Sequence, residues 1–144
     1  METEKLAKLP NVWEKNLIAF VNANLGSAFV WGKNDCTSFT RDCIRAMCGH
    51  FDGPKITYKT HAGALRFIKR TGFDPEKWLL ENTICEYVKP NYYQVGDIAI
   101  IDRDGFKCCH IILGSNTACV WPDNGVALGK TKELPPDTIV IRIL

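Results

Sequence analysis

Cys36 is the residue of this sequence best placed to do chemistry. It follows Gly32-Lys33-Asn34-Asp35, and beyond it Phe39 or Thr40, Cys43 and Met47 recur at three- and four-residue spacing, the period of an amphipathic helix. Asp35 is a good N-cap, and Gly49 sits where a left-handed C-cap would end the helix. A helix start offers unpaired backbone N–H groups and the positive end of the helix dipole, both of which favour a thiolate. Free cysteines also serve as small buried apolar residues, so a nucleophile here needs a base. Of the three histidines only His110 falls inside a sheet-like stretch, Lys107-Cys108-Cys109-His110-Ile111-Ile112. A histidine on a strand packed against the start of the Cys36 helix could take the thiol proton; alone, it could equally be a hydrogen-bonded core residue. Such a pair requires reactive atoms within about 4 Å and a Cys36 pKa below ~8.5. A third polar residue to orient the imidazole would come from beyond Thr117. A turn at Ser115-Asn116 pairing Gly114 with Thr117 sets His110 opposite Trp121 and diagonal to Asp123, whereas pairing Leu113 with Thr117 sets it opposite Val120 with no acid nearby. Asp123 is the candidate on the first register.

The elements that must position these residues can be read in order. A packing helix runs from about Val12 to Leu25, with Trp13, Leu17, Phe20 and Val21 available for one face and Gly26 as its stop. After the Cys36 helix, His50 to Pro54 is a loop. A third helix runs from about Thr60 to Arg70, with Leu65 and Ile68 inward and Gly72 ending it; His61, near its start, reads as solvated or capping. Asp74-Pro75-Glu76 opens a short helix through Trp78 and Leu79. The period then changes to that of strands: Cys85–Val88, Ile98–Ile101, Phe106–Leu113, Thr117–Trp121, Val126–Leu128 and Thr138–Leu144. Turns fall at Asp102-Arg103-Asp104-Gly105 and at Pro122-Asp123-Asn124-Gly125. Helices followed by an antiparallel meander make an α+β arrangement, here one domain over residues 1–144.

Composition narrows the classes. A chain of 144 residues with 46% hydrophobic and 24% charged residues has the make-up of an ordinary globular domain. A net charge of +2 with scattered Lys and Arg gives no nucleic-acid footprint. No apolar run approaches the ~20 residues of a spanning helix, and Met1–Pro10 lacks the apolar stretch of a signal peptide. Seven cysteines, an odd number without Cys-x-x-Cys, suit free thiols in a reducing cytosol better than disulfides or a metal site. Cys108 and Cys109, neighbours on one strand, point to opposite faces.

Phe29-Val30-Trp31-Gly32-Lys33-Asn34-Asp35-Cys36-Thr37-Ser38-Phe39 resembles the NlpC/P60 cysteine peptidase motif, in which Tyr-x-x-Gly precedes Asp-Cys-Ser-Gly-Phe. Val95-Gly96-Asp97 and the apolar run after it resemble that family's Gly-Asp-hydrophobic strand, and Cys109-His110-Ile111-Ile112-Leu113-Gly114 resembles its His-Val-Gly-Ile strand. The blocks keep the family's order across Ala28–Trp121. The compact spacing before Cys36 is similar to small phage tail-associated members, and CHAP amidases share a related Cys-Thr and His layout. The resemblance implies a papain-like α+β fold with N-terminal helices packed on a C-terminal antiparallel sheet. It implies hydrolysis of an amide bond in the peptide stem of peptidoglycan, with Cys36 as nucleophile, His110 as general base, the Cys36 backbone N–H in an oxyanion hole, and neither cofactor nor metal. The expected partners are the stem peptide and other phage tail proteins, not nucleic acid or membrane. The protein would be made in the cytoplasm without a signal peptide and carried in the virion. The sequence departs from the motif at Phe29 in place of its tyrosine, at Thr37-Ser38 in place of Ser-Gly, and at Val120 in the slot of the orienting residue. These departures raise a second function, a structural or assembly subunit of a phage tail that keeps the fold with little or no catalysis.

Overall fold

The N-terminal half makes four helices, and local chemistry accounts for their ends. The computed structural model describes residues 5–51, 53, 55–103 and 105–144; the parts of the expected loop and turn that involve Asp52, Pro54 and Asp104 lie outside them. Helix α1 (Trp13–Asn24) buries Leu17 and Val21. Helix α2 (Cys36–Cys48) begins with a full capping box between Asp35 and Ser38 and ends on Gly49 at φ 85°, a left-handed cap that only glycine adopts without strain. Helix α3 (His61–Thr71) starts on Thr60, whose side chain accepts from the Gly63 N–H. Helix α4 (Pro75–Asn82) has Asp74 as its N-cap with Pro75 in the first turn. In α3 the expected inward face is wrong by a residue: Ala64 and Phe67 are buried, whereas Leu65 is 46% exposed. Phe67 packs against Tyr58 and Phe73, and those two rings set the rotation of the helix.

The C-terminal half forms a six-stranded sheet in the order β1-β6-β2-β3-β4-β5, with β1 (Cys85–Tyr87), β2 (Ile98–Arg103), β3 (Phe106–Leu113), β4 (Asn116–Trp121), β5 (Gly125–Lys130) and β6 (Ile139–Ile143). Every pairing is antiparallel. The protein is thus α+β, with four helices and a six-stranded antiparallel sheet. The β3–β4 hairpin pairs Leu113 with Asn116, a register that neither sequence alternative anticipated. Gly114 at φ 86° occupies the first central turn position, where a type II′ turn requires positive φ. That places a two-residue turn at Gly114-Ser115, one residue before the expected Ser115-Asn116, and shifts β4 relative to His110.

Strand alternation divides the sheet into two faces. Ile98, Ile100, Cys109, Ile111, Ala118, Val120, Ile141 and Ile143 form one core with Leu17, Val21, Phe39, Cys43 and Met47 of α1 and α2. The opposite face carries a small cluster of Ala99, Ile112 and Val140, covered by Val88, Tyr93 and Leu134. Each large apolar side chain buried in the main core contributes roughly 1.5–3 kcal/mol, so the packing of α2 on β3 and β4 fixes the height of Cys36 above the strands. No helix among the described residues is long and apolar enough to cross a membrane.

Candidate functional site

The start of α2 is held by a tight loop. Val30 and Asn34 bridge each other through Val30 N–H to Asn34 O at 3.0 Å and Asn34 N–H to Val30 O at 2.8 Å, and the Asn34 side chain donates to Ala28 O at 2.7 Å. Gly32 has φ 82°, and a Cβ there would lie 2.0 Å from Tyr58 O, so only glycine lets the two segments meet. Asp35 is 1% exposed. Its Oδ1 accepts from Ser38 N–H at 2.9 Å and Ser38 Oγ at 3.0 Å, and its Oδ2 accepts from Gly32 N–H at 2.8 Å. Burial, reinforced by the neighbouring Asp35 charge, raises the pKa of the Tyr58 phenol.

Cys36 therefore stands in the first turn, as its sequence context implies. The neighbouring Cys108 thiol, followed by burial, raises the Cys36 pKa, and Cys36 lowers that of the half-buried Cys108. Pairing of β3 with β4 runs only from Leu113–Asn116 to Ile111–Ala118, and beyond it Cys119 Sγ donates to Cys109 O at 3.5 Å in place of a backbone ladder bond.

His110 sits elsewhere, and the expected Cys36–His110 contact is not among the hydrogen bonds of the described residues. Its ring packs edge-on against Trp121 at 5.4 Å, and the Arg103 guanidinium covers Trp121 at 4.4 Å. His110 is 4% exposed, and its Nε2 is buried without a hydrogen-bond partner. Burial, with the nearby Arg103 charge, pushes its pKa down to about 4. The imidazole is neutral at neutral pH. Asp123 lies exposed in the turn after β4 and takes part in none of the hydrogen bonds or ion pairs of the described residues. Among the described residues no hydrogen bond joins Cys36 to His110 or to Asp123.

A stability prediction follows from His110. Its folded pKa of about 4 lies below the ordinary 6.5, so between those values the unfolded chain takes up a proton that the folded chain refuses. Stability from this residue is intact above the ordinary value and falls as pH falls through the window, by about 2 kcal/mol at roughly pH 5. Urea unfolding of wild type and His110→Gln at neutral and acidic pH measures it. The variant should lose about 2 kcal/mol less on acidification, and equal losses would remove His110 as the cause.

Two neighbours of the site carried no sequence signal of their role. Tyr58 lies in an irregular segment, and only the fold brings its carbonyl against Gly32. His61, expected to be solvated or capping, is exposed but stacks on Trp31 with centroids 5.1 Å apart and planes at 16°, and its edge meets Phe106 at 6.4 Å; Thr60 does the capping. Lys107 of β3 forms an ion pair with Asp74, tying β3 to the cap of α4. No group of three His, Cys, Asp or Glu side chains among the described residues is arranged to hold a metal.

Fold and site together define a class: an α+β domain in which a capped helix with a cysteine in its first turn packs on an antiparallel sheet. The chain belongs to the family described as a domain of unknown function, DUF6950, which matches residues 8–134 and so contains the whole site. No curated protein is similar enough in sequence to count as a relative.

Proposed function

We propose that this chain is an NlpC/P60-like, papain-type domain serving as a structural or assembly subunit of a phage tail, with its hydrolytic chemistry weak or lost. The resemblance around Cys36 and Gly96-Asp97 supports the fold type, as does a helix-capped cysteine packed on an antiparallel sheet. The observation that carries the loss of chemistry is the setting of His110. A thiol nucleophile needs a base within hydrogen-bond reach, and among the described residues no hydrogen bond joins Cys36 to His110, which packs on Trp121 with its Nε2 buried and unpartnered. Asp97, in the segment that resembles the family's Gly-Asp strand, is spent on structure: both its oxygens accept from Arg142 of β6, at 2.8 and 3.0 Å.

Turbidity of purified peptidoglycan tests the catalytic half. Wild type should clear it no faster than Cys36→Ala. Clearing that disappears in Cys36→Ala would restore the hydrolase reading, with peptidoglycan stem peptide as substrate. For the assembly half, the chain should be recovered with purified tail particles of the phage encoding it, and its absence from them would sink that half.

A further inference from the structure

We propose that the cleft beside the β3–β4 turn is a docking site for an acidic, extended segment of a partner protein. The cleft has a volume of about 670 Å³ and is walled by Pro90-Asn91, by the turn Gly114-Ser115 and by the stretch from Lys130 to Pro136. Its walls are fixed before any ligand arrives. Tyr92 N–H donates to Lys89 O at 3.1 Å and Asn91 has φ 74°, which with Pro90 make the pattern of a type II turn. Thr131 ties the opposite wall to the β3–β4 turn. Its N–H donates to Ser115 O at 2.9 Å and its hydroxyl to Gly114 O at 2.6 Å. A preformed site gives up little freedom on binding.

The charge of the lining sets the sign of the occupant. Lys130 and Lys132 line the cleft and no carboxylate among the described residues does. Both lysines are exposed, and neither enters an ion pair of the described residues. Their ammonium groups are point charges on flexible stems, able to meet carboxylates in more than one register. The exposure of the rim sets the kind of occupant. A small-molecule site encloses roughly 70–90% of its ligand, whereas here Asn91, Ser115, Asn116 and both lysines stand exposed. Such a rim suits a chain segment lying across it, with amide and hydroxyl side chains to meet the segment's backbone. The half-buried Tyr93 and Leu134 supply the apolar centre, where interface energy concentrates. This inference goes beyond the assembly reading and does not depend on it, since the cleft shares no lining residue with α2.

The test titrates the whole, isotope-labelled chain with a capped hexapeptide alternating glutamate and leucine, followed through the backbone amides by NMR. Shifts should concentrate on Asn91, Tyr93, Ser115, Asn116 and Lys132, and should weaken as salt is raised. The same peptide with glutamine in place of glutamate should bind about tenfold more weakly. The double variant Lys130→Ala, Lys132→Ala should lose a similar factor toward the acidic peptide while unfolding at the wild-type temperature, because both side chains are exposed. The glutamine peptide decides the matter on the wild-type chain even where the variant fails to fold. Equal binding of the two peptides, or shifts confined to other surfaces, would overturn the proposal. So would the same shifts from inorganic phosphate alone at equal concentration, which would reduce the cleft to a simple anion site.

Discussion

Replacing Arg142 with alanine should cost the fold about 3 kcal/mol, because it strands a carboxylate with no route to water. Asp97 is 0% exposed. Its Oδ1 accepts from Arg142 Nε at 2.8 Å, and its Oδ2 accepts from Arg142 Nη2 at 3.0 Å and from Gln94 N–H at 2.7 Å. The same Nη2 donates to Tyr92 O at 2.8 Å. This bidentate pair joins the entry of β2 to β6, and the fork geometry makes it stronger than a point-charge contact. Thermal unfolding should show a Tm lower by roughly 6–12 °C. Arg142→Met combined with Asp97→Leu should be milder than Arg142→Ala alone, since removing both charges leaves nothing buried and unpaired. If Arg142→Ala moves stability by less than ~1 kcal/mol, Asp97 must find water or another donor and the argument fails.

Asp35→Ala should be nearly as damaging, at about 3 kcal/mol, although it deletes only a small side chain. Loss of a helix N-cap alone costs ~1 kcal/mol. Here the Gly32 and Ser38 N–H groups and the Ser38 hydroxyl lose the same acceptor, and buried donors left unmade add about 1–3 kcal/mol each where water cannot reach them. Ser38→Ala removes the hydroxyl's share of this network and should cost about 1 kcal/mol. Urea titration should show the midpoint falling with an unchanged slope, the mark of altered stability rather than altered compactness. An Asp35→Ala loss no larger than that of Ser38→Ala would mean that the carboxylate is an ordinary cap.

Most of the fold was legible in the sequence because its signals are local. Asp35 and Gly49 bracket α2 through side-chain and φ preferences that need no tertiary partner, and the same holds for Asp74-Pro75. The change from a helical period to an alternating one located the meander. The site was legible in one half. Cys36 at a helix start follows from local chemistry, whereas the setting of His110 depends on tertiary packing. Alternation gives the face that meets α2 to Cys109 and Ile111 and sets His110 beside Ala99 on the other, and no local signal reports which parity α2 covers. Leu65 misled for a related reason, since the rings around Phe67, distant in sequence, decide how α3 is turned.

The strand order bears on how this protein avoids self-association. An open sheet leaves two rows of backbone N–H and C=O groups unpaired, and such rows recruit strands from other molecules. Here the exposed positions go to β1 and β5. The first is three residues long and carries Glu86 and Tyr87 outward; the second includes Gly125 and Gly129 and ends on Lys130. Short length, charge and glycine all make poor templates for a further strand. The Ile98–Ile101 run of β2, apolar and buried throughout, is the segment best able to nucleate a cross-β stack. It is kept from doing so by β6, which arrives from the far end of the sequence to lie between β2 and β1. The last strand thus acts as a molecular chaperone in cis, capping the stickiest edge of the sheet.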